Sequence, residues 1–418
     1  MPDEKQYALL GDIRVVELAT MVFAPSAAVV MADFGAEVIK VEPPGSGDLN
    51  RHYHTLPGLP DAELPYTFQI DNRNKKSIAL DLKTAAGYEV LRKLIATADV
   101  FISNYRLNAL TRLKLDYEDL KEINPRLIYA LGTGWGSAGE EREKPGYDNV
   151  CYWTRSAIES HIFPYEGWLG AFPFGAGDHP SGMSLFAAIM AGLYRRQQTG
   201  AGGKVSTSLL ANGAWANATM LQAQLANATF KAKRPREQAY NFTYLHYRSR
   251  DNRLFKLGMV NTRKDWQPFC QLLGRAELAD DPRFSSEDAR VEHMAVLISI
   301  IDEIFQQQDM SHWQAVFGAS DIPFAVVPTY EEAANDPQKL ANDIVVPLEH
   351  PRFGPLRTVN SPIEISGAAK RRAGAAPELG EHSHDVLSGL GYSQSQIKQL
   401  LKDGVVEYPA VFDDESRS

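Results

Sequence analysis

"DIRVVELATMVFAPSAAVVMADFGAEVIKVE", Asp12 to Glu42, is the stretch on which the architecture turns. Asp12 to Ala19 is apolar and β-branched and is bounded by Gly11 and polar residues, which predicts a buried strand. "PSAAVVMADFG" follows as a helix, because Pro25 suits a first helical turn and Gly35 a helix stop. Glu37 to Glu42, "EVIKVE", predicts a second strand, closed by "PPGSGD". Strand, helix and strand in this order make a βαβ unit, whose strands run parallel.

The pattern continues downstream. "KSIALDL" reads as a strand, "TAAGYEVLRKLIATA" as a helix, "DVFISNY" as a strand, "YEDLKEI" as a helix and "RLIYALGTG" as a strand. Between Gly182 and Gln198 the apolar residues Leu185, Phe186, Ile189, Met190 and Leu193 fall at helical spacing with one buried face. "GAGGKVSTSLL" is a glycine-rich turn into another strand. Alternation of this kind predicts an α/β chain with a Rossmann-like, doubly wound parallel sheet. The texture changes near residue 225. "YLHYRSRDNRLFKLGM" predicts a hairpin turning at Asp251-Asn252, and "TRKDWQPFCQLLG", "EDARVEHMAVLISIIDEIFQQQ" and "MSHWQAVFG" read as helices. The expected organisation is a large discontinuous domain, residues 1–225 and 331–418, with a smaller α+β domain at 226–330.

Composition narrows the function. The 418 residues are 44% hydrophobic and 23% charged, an ordinary globular balance. No uncharged apolar run reaches the ~18 residues of a membrane span. "MPDEKQYALLGD" lacks the basic and apolar segments of a secretion signal. The two cysteines, Cys151 and Cys270, exclude a disulfide framework and a cysteine-rich zinc site and fit a reducing cytoplasm, the expected location. A net charge of −9 argues against nucleic acid as the partner but permits a local basic groove for a small polyanion.

A doubly wound fold invites a nicotinamide reading, yet the turn after the first strand is "ATMVFAPS", without G-x-G-x-x-G. No phosphate loop, H-E-x-x-H or G-x-S-x-G occurs, so neither a metal nor a nicotinamide is expected. "EHSHD", Glu381 to Asp385, places its histidines two apart on a helix, off a common face, and reads as a solvated helix start. "GAGDHPSGM", Gly175 to Met183, survives the screen. Asp178 there reads as a turn aspartate, with it or Ser181 capping the next helix. The same geometry also allows an open carboxylate kept ionised by a helix N-terminus and free to act as a nucleophile, although from the residues alone the turn reading comes first. The motif alone does not choose.

Over nearly its whole length the chain resembles the class III coenzyme A transferases, the group containing formyl-CoA transferase and the carnitine-related CoA transferases. The resemblance is carried by "RVVELATMVFAPSAAVVMADFGAEVIKVEPPGSGD", "NRNKKSIALDLKTAAG", "VFISNYRLNALTRL", "NPRLIYALGTGWG", "GAGDHPSGMSLFAAIMAGLYRRQQTGAGGKV" and "LGEHSHDVLSGLGYSQSQIKQL". It implies that Asp178 attacks the thioester of an acyl-CoA to give a mixed anhydride and then an aspartyl-CoA thioester, with coenzyme A as substrate and small carboxylic acids as partners. The Gly175 to Gly177 amides are expected to hold the oxyanion. By the same resemblance Leu80 and Lys83 lie along the nucleotide and pantetheine path, Asn104 and Tyr105 near the adenine, and Arg112 and Lys144 at the phosphates. The family also implies an interlocked homodimer.

Two departures bear on the substrate. Val22 stands where formyl-CoA transferase has a glutamine, and "LGMVNTRKDW" keeps only Gly258 of that enzyme's glycine-rich lid. A bulkier, less polar acyl group than formyl or oxalyl is therefore expected, with the aromatics of "CYWTRSAIESHIFPYEGWLGAF" available to line its pocket or to fill the core. The related α-methylacyl-CoA racemases use a histidine where this chain has Tyr147 in "PGYDNV", and a tyrosine of ordinary pKa ~10 is a poor base at neutral pH. A racemase-type isomerase and a non-catalytic CoA-binding protein are the competing readings.

Overall fold

The structure is a computed structural model that describes residues 8–258 and 262–409. It divides into two units. One takes in the chain up to Ile162, Gly170–Ala228 and Gln338 onward; the other holds Phe163–Leu169 and Thr229–Pro337.

The first unit is built on a 7-stranded sheet. Strands β1 (Arg14–Leu18), β2 (Glu37–Glu42), β3 (Lys76–Leu80), β4 (Val100–Ser103), β5 (Ile128–Thr133) and β6 (Gly203–Ser208) pair in parallel in the order β3-β2-β1-β4-β5-β6. A short strand, Val406–Glu407, adds an antiparallel edge beside β3. Its helices include α1 (Phe23–Asp33), α2 (Tyr66–Asn72), α3 (Ala85–Ala96), α4 (Leu107–Arg112), α5 (Tyr117–Ile123), α6 (Ile158–Ile162) and α7 (Asp178–Thr199). The strands alternate sides as their period of two requires. Val15, Val38, Val100 and Ile128 pack with α1 and α7, whereas Val16, Ile39, Phe101 and Tyr129 pack with α3, α5 and the C-terminal helices Ser383–Gly389 and Gln394–Lys402.

On the first face the helices come very close. A Cβ at Gly182 of α7 would lie 1.9 Å from Ser26 Oγ of α1, so only glycine fits this crossing. The "EHSHD" segment is not simply solvated. His382 is half-buried and its Nδ1 accepts from the Ser77 amide at 3.3 Å, which ties the last helices to β3.

The interior beside β1 and β2 is ionic. Glu17 and Lys40 are fully buried, with Lys40 Nζ 2.7 Å from Glu17 Oε1 and 2.8 Å from Asp48 Oδ2. Lys75 Nζ, also buried, lies 2.6 Å from Glu17 Oε2. Burial opposes the charge on Lys40, but Asp48, Glu17 and Glu42 hold it well above the usual lysine range. For Lys75 burial wins over Glu17 and, with repulsion from Lys40, brings its pKa down to about 8. The cluster holds backbone as well as charge. Lys40 donates to Ala19 O at 3.0 Å, and Asp48 Oδ1 accepts from Thr20 Oγ1 at 2.6 Å and from the Met21 amide at 2.9 Å. The loop after β1 is thus fixed from below.

The second unit carries the expected hairpin, His246–Arg248 against Leu254–Leu257, with Phe324–Val326 as a third antiparallel strand. The helical stretch "EDARVEHMAVLISIIDEIFQQQ" forms two helices, Glu287–Glu292 and Met294–Phe305. His293 makes the break, its ring Nδ1 lying 3.0 Å from the Ala289 carbonyl and closing the first of them. Among the described residues no helix is long and apolar enough to cross a membrane.

Candidate active site

The strand order reverses between β1 and β4, and open α/β sheets bind ligands at the carboxyl ends of strands where this happens. A cleft of about 500 Å³ lies there, walled by the loops after β1, β4 and β5. Its floor is held by a reciprocal pair. The Thr20 amide donates to Asn104 Oδ1 at 3.0 Å and Asn104 Nδ2 donates to Thr20 O at 2.7 Å, which ties the two loops of the switch point together. Met21, next along, adopts a left-handed φ of 65° that the Asp48 contact maintains.

Asp178 is in the cleft wall as the first residue of α7. The chain reaches it through Gly175, whose φ is 73°, and Gly177, where a Cβ would lie 2.8 Å from Tyr152 Cγ. This corrects the picture of an open, freely ionised loop carboxylate. Asp178 is half-buried, and burial first, then Asp148 and Asp71, push its pKa up to about 8 against the pull of His179. The helix N-terminus favours the anion, but desolvation beside two other carboxylates outweighs it. Two of the three expected oxyanion donors are taken: the Ala176 amide donates to Pro173 O at 3.1 Å and the Gly177 amide to Asp148 Oδ2 at 2.9 Å.

Of the other expected contacts, Asn104, Tyr105, Arg112 and Lys144 share the cleft with Asp178. Asn104 lines the cleft while its amide group pairs with Thr20, as above. Leu80 and Lys83 are not brought into the cleft. Leu80 is buried in the core at the end of β3, and Lys83 is exposed on the turn that follows, two strands from β1. Arg106 and Arg142, which sequence reasoning passed over, line the cleft too. With Arg112 and Lys144 they make a basic rim on a chain of net charge −9, though Lys144 also pairs with Glu141 at 3.0 Å. Arg112→Ala is expected to weaken coenzyme A binding about tenfold at low ionic strength and much less in high salt, because the resemblance puts this guanidinium at a phosphate. Titration calorimetry across a salt series checks this; equal affinities of variant and parent would contradict it.

Around Asp178 the wall is apolar, formed by Met21, Phe23, Leu49, Tyr147 and Leu209. Leu49 and Tyr147 remain more than half exposed. Three of the aromatics from Cys151 to Phe172 are engaged within the first unit. Tyr152 is core, and Trp153 stacks on Phe172 with centroids 4.2 Å apart. Val22 is buried, and its Cγ1 would lie 3.3 Å from a Cβ at Gly175. The glycine-poor lid segment falls partly at Met259 to Asn261, outside the described residues.

Sequence reasoning also missed His179 and Asp71. His179 Nδ1 lies 3.0 Å from Gly175 O, and Nε2 lies 3.0 Å from Asp71 Oδ1. His179 stood in the quoted motif beside Asp178. Asp71 carried no signal, being separated from its partner by 108 positions.

A half-buried carboxylate and four basic side chains thus share one cleft at the switch point of a parallel sheet. The chain belongs to CoA-transferase family III, whose profile matches residues 10–383. It is 29% identical over 401 residues to (R)-2-hydroxy-4-methylpentanoate CoA-transferase of Clostridioides difficile, covering 96% of this chain and 100% of that one. It is 31% identical over 403 residues to cinnamoyl-CoA:phenyllactate CoA-transferase of Clostridium sporogenes, covering 96% and 98%. Among solved structures it resembles a CAIB/BAIF family protein from Brucella suis, with a TM-score of 0.81 and 29% identity over 92% of this chain and 100% of that one.

Proposed function

We propose that this chain transfers coenzyme A from an acyl-CoA donor to a free carboxylic acid, with Asp178 as the covalent nucleophile. The observation that carries this reading is the position of Asp178, at the start of α7 in the wall of a switch-point cleft with a cationic rim. An Asp178 oxygen attacks the thioester carbonyl carbon, the C–S bond breaks, and coenzyme A leaves as thiolate from a mixed anhydride. The thiolate then attacks the Asp178 carbonyl carbon, releasing the donor acid as carboxylate and leaving an aspartyl-CoA thioester. The acceptor carboxylate repeats the two steps in reverse. Each step exchanges one anion for another, so the cycle takes up and releases no proton. A site whose cleft offers cations and no histidine suits this exchange.

The rim of Arg106, Arg112, Arg142 and Lys144 would hold the phosphates. The nucleotide would then run along the carboxyl ends of β1 and β2 towards the turn at Lys83, with the backbone at Leu80 alongside. The apolar wall of Met21, Leu49 and Tyr147 suits a branched or aryl acyl group, in line with the 4-methylpentanoate, cinnamoyl and phenyllactate named for the two relatives. Trp168, Trp215 and Leu225, each at least 77% exposed, support assembly as an interlocked homodimer.

An assay in deuterated buffer separates the possibilities. Branched or aryl acyl-CoA with a free acid should yield the new thioester, with no deuterium entering the α-carbon. Deuterium uptake without any acceptor would favour the racemase, and neither event would mean that the chain only binds coenzyme A.

A further inference from the structure

We propose that His179, held as an imidazolium by Asp71, is a positioning residue that sets the charge and the placement of Asp178; this rests on Asp178 being the nucleophile. The geometry requires the protons. Both ring nitrogens face acceptors, the Gly175 carbonyl at 3.0 Å and Asp71 Oδ1 at 3.0 Å. A carbonyl only accepts, so Nδ1 carries a proton, and a carboxylate at Nε2 is satisfied by the second. Asp71 has its own need for this partner. It is 1% exposed on α2, and its Oδ2 has no hydrogen-bond partner among the described residues. A buried carboxylate of this kind is costly unless a cation stands beside it.

The contact to Gly175 O places the ring against the turn that delivers Asp178 to the cleft. The same glycine has the left-handed φ of 73°, and a Cβ there would lie 3.2 Å from the His179 ring. Histidine and turn therefore fit only as a set. His179 does not line the cleft. It lines a second cavity of about 790 Å³ on the other side of the α7 N-terminus, together with Pro180 and Met183. The imidazolium thus stays out of reach of the reacting thioester and acts through Asp178.

The surrounding charges define what it does. Asp178 meets Asp148 from the N-cap of the helical turn Asn149–Thr154 and Asp71 from α2, both raising its pKa, while His179 opposes them. His179 itself meets Asp71 and Asp178, and its cavity also holds Arg73, Lys370, Glu364 and Asp343. Arg73 is taken up by Asp33 at 2.5 Å. Burial works against a charged ring, yet Asp71 and the Gly175 carbonyl bring the His179 pKa up to about 9, so the cation persists across the range in which Asp178 ionises. Without it, three carboxylates crowd one site and Asp178 ionises only at still higher pH.

The test is the pH profile of transfer, kcat/KM, in the parent, His179→Gln and Asp71→Asn, with hydroxylamine trapping at residue 178 measured alongside. In His179→Gln the acid limb should move up by about one pH unit or more, a loss of about tenfold at pH 7 that is largely recovered at high pH. Asp71→Asn leaves every backbone contact of the turn in place and should move the limb the same way but by less, because losing the imidazolium outweighs losing the Asp71 charge that itself raises the Asp178 pKa; this keeps the proposal testable if His179→Gln does not fold. A uniform loss at every pH with an unmoved limb would overturn it, since that is what a purely structural anchor gives. A parent that forms no adduct at Asp178 would instead remove the nucleophile on which the proposal stands.

Discussion

Asp178→Asn should abolish transfer, lowering kcat by a factor on the order of 10⁴ or more, while fold and coenzyme A affinity stay close to those of the parent. Asparagine matches aspartate in shape, and the contacts that seat this position are not made by its carboxylate. They come from the Gly177 amide on Asp148 at 2.9 Å and from His179 on Gly175 and Asp71. What is lost is the oxygen nucleophile. The same substitution should change stability in a defined pH window. The folded chain raises the Asp178 pKa from 3.8 to about 8, so the native state holds this proton more tightly than the unfolded chain does. The cost of an ionised Asp178 is therefore absent below pH 3.8, grows as pH rises, and is complete above pH 8. Asp178→Asn removes it. The variant should melt a few degrees above the parent at pH near 9 and level with it near pH 4, measured by calorimetry. A variant less stable than the parent at high pH would contradict the raised pKa.

Glu17→Gln carries the largest expected loss of stability, about 3–5 kcal/mol. Glu17 is the shared counter-ion of Lys40 at 2.7 Å and Lys75 at 2.6 Å, with all three side chains at 0% exposure. Lys40 would keep Asp48, but Lys75 would retain only Asn72 Oδ1 and Pro25 O, each at 3.0 Å. Neither is charged, and with only the weaker pull of Asp71 left a buried ammonium loses its proton or loosens the structure around it. The damage should reach the cleft, because Lys40 and Asp48 fix Ala19, Thr20 and Met21. A raised KM for acyl-CoA is expected together with the lowered denaturation midpoint. A change of stability within about 1 kcal/mol of the parent would show that the cluster is dispensable.

Much of this was legible before any coordinates. The apolar, β-branched runs gave β1, β2, β4 and β5, because a parallel strand covered on both faces needs little but Val, Ile and Leu. The hairpin at Asp251-Asn252 followed from local turn chemistry. Asp178 itself came from resemblance, since its motif allowed a plain turn aspartate just as well. What stayed hidden depends on residues far apart in the chain. Glu17, Lys40 and Lys75 sit in strands or turns whose neighbours read as core, and nothing in periodicity says that their charges meet. Asp71 reaches His179 only because α2 packs beside α1. The ionisation of Asp178 was misjudged for the same reason: the helix N-terminus is visible in sequence, but the burial and the Asp148 carboxylate that outweigh it are not.

The most direct measurement is mass spectrometry of the protein mixed with a branched or aryl acyl-CoA and then quenched with hydroxylamine. An acylated or CoA-bearing aspartate reacts to a hydroxamate, and the account predicts one, at residue 178, formed only when thioester is present. Turnover of the thioester with that residue unmodified, or a hydroxamate mapped to another position, would contradict it.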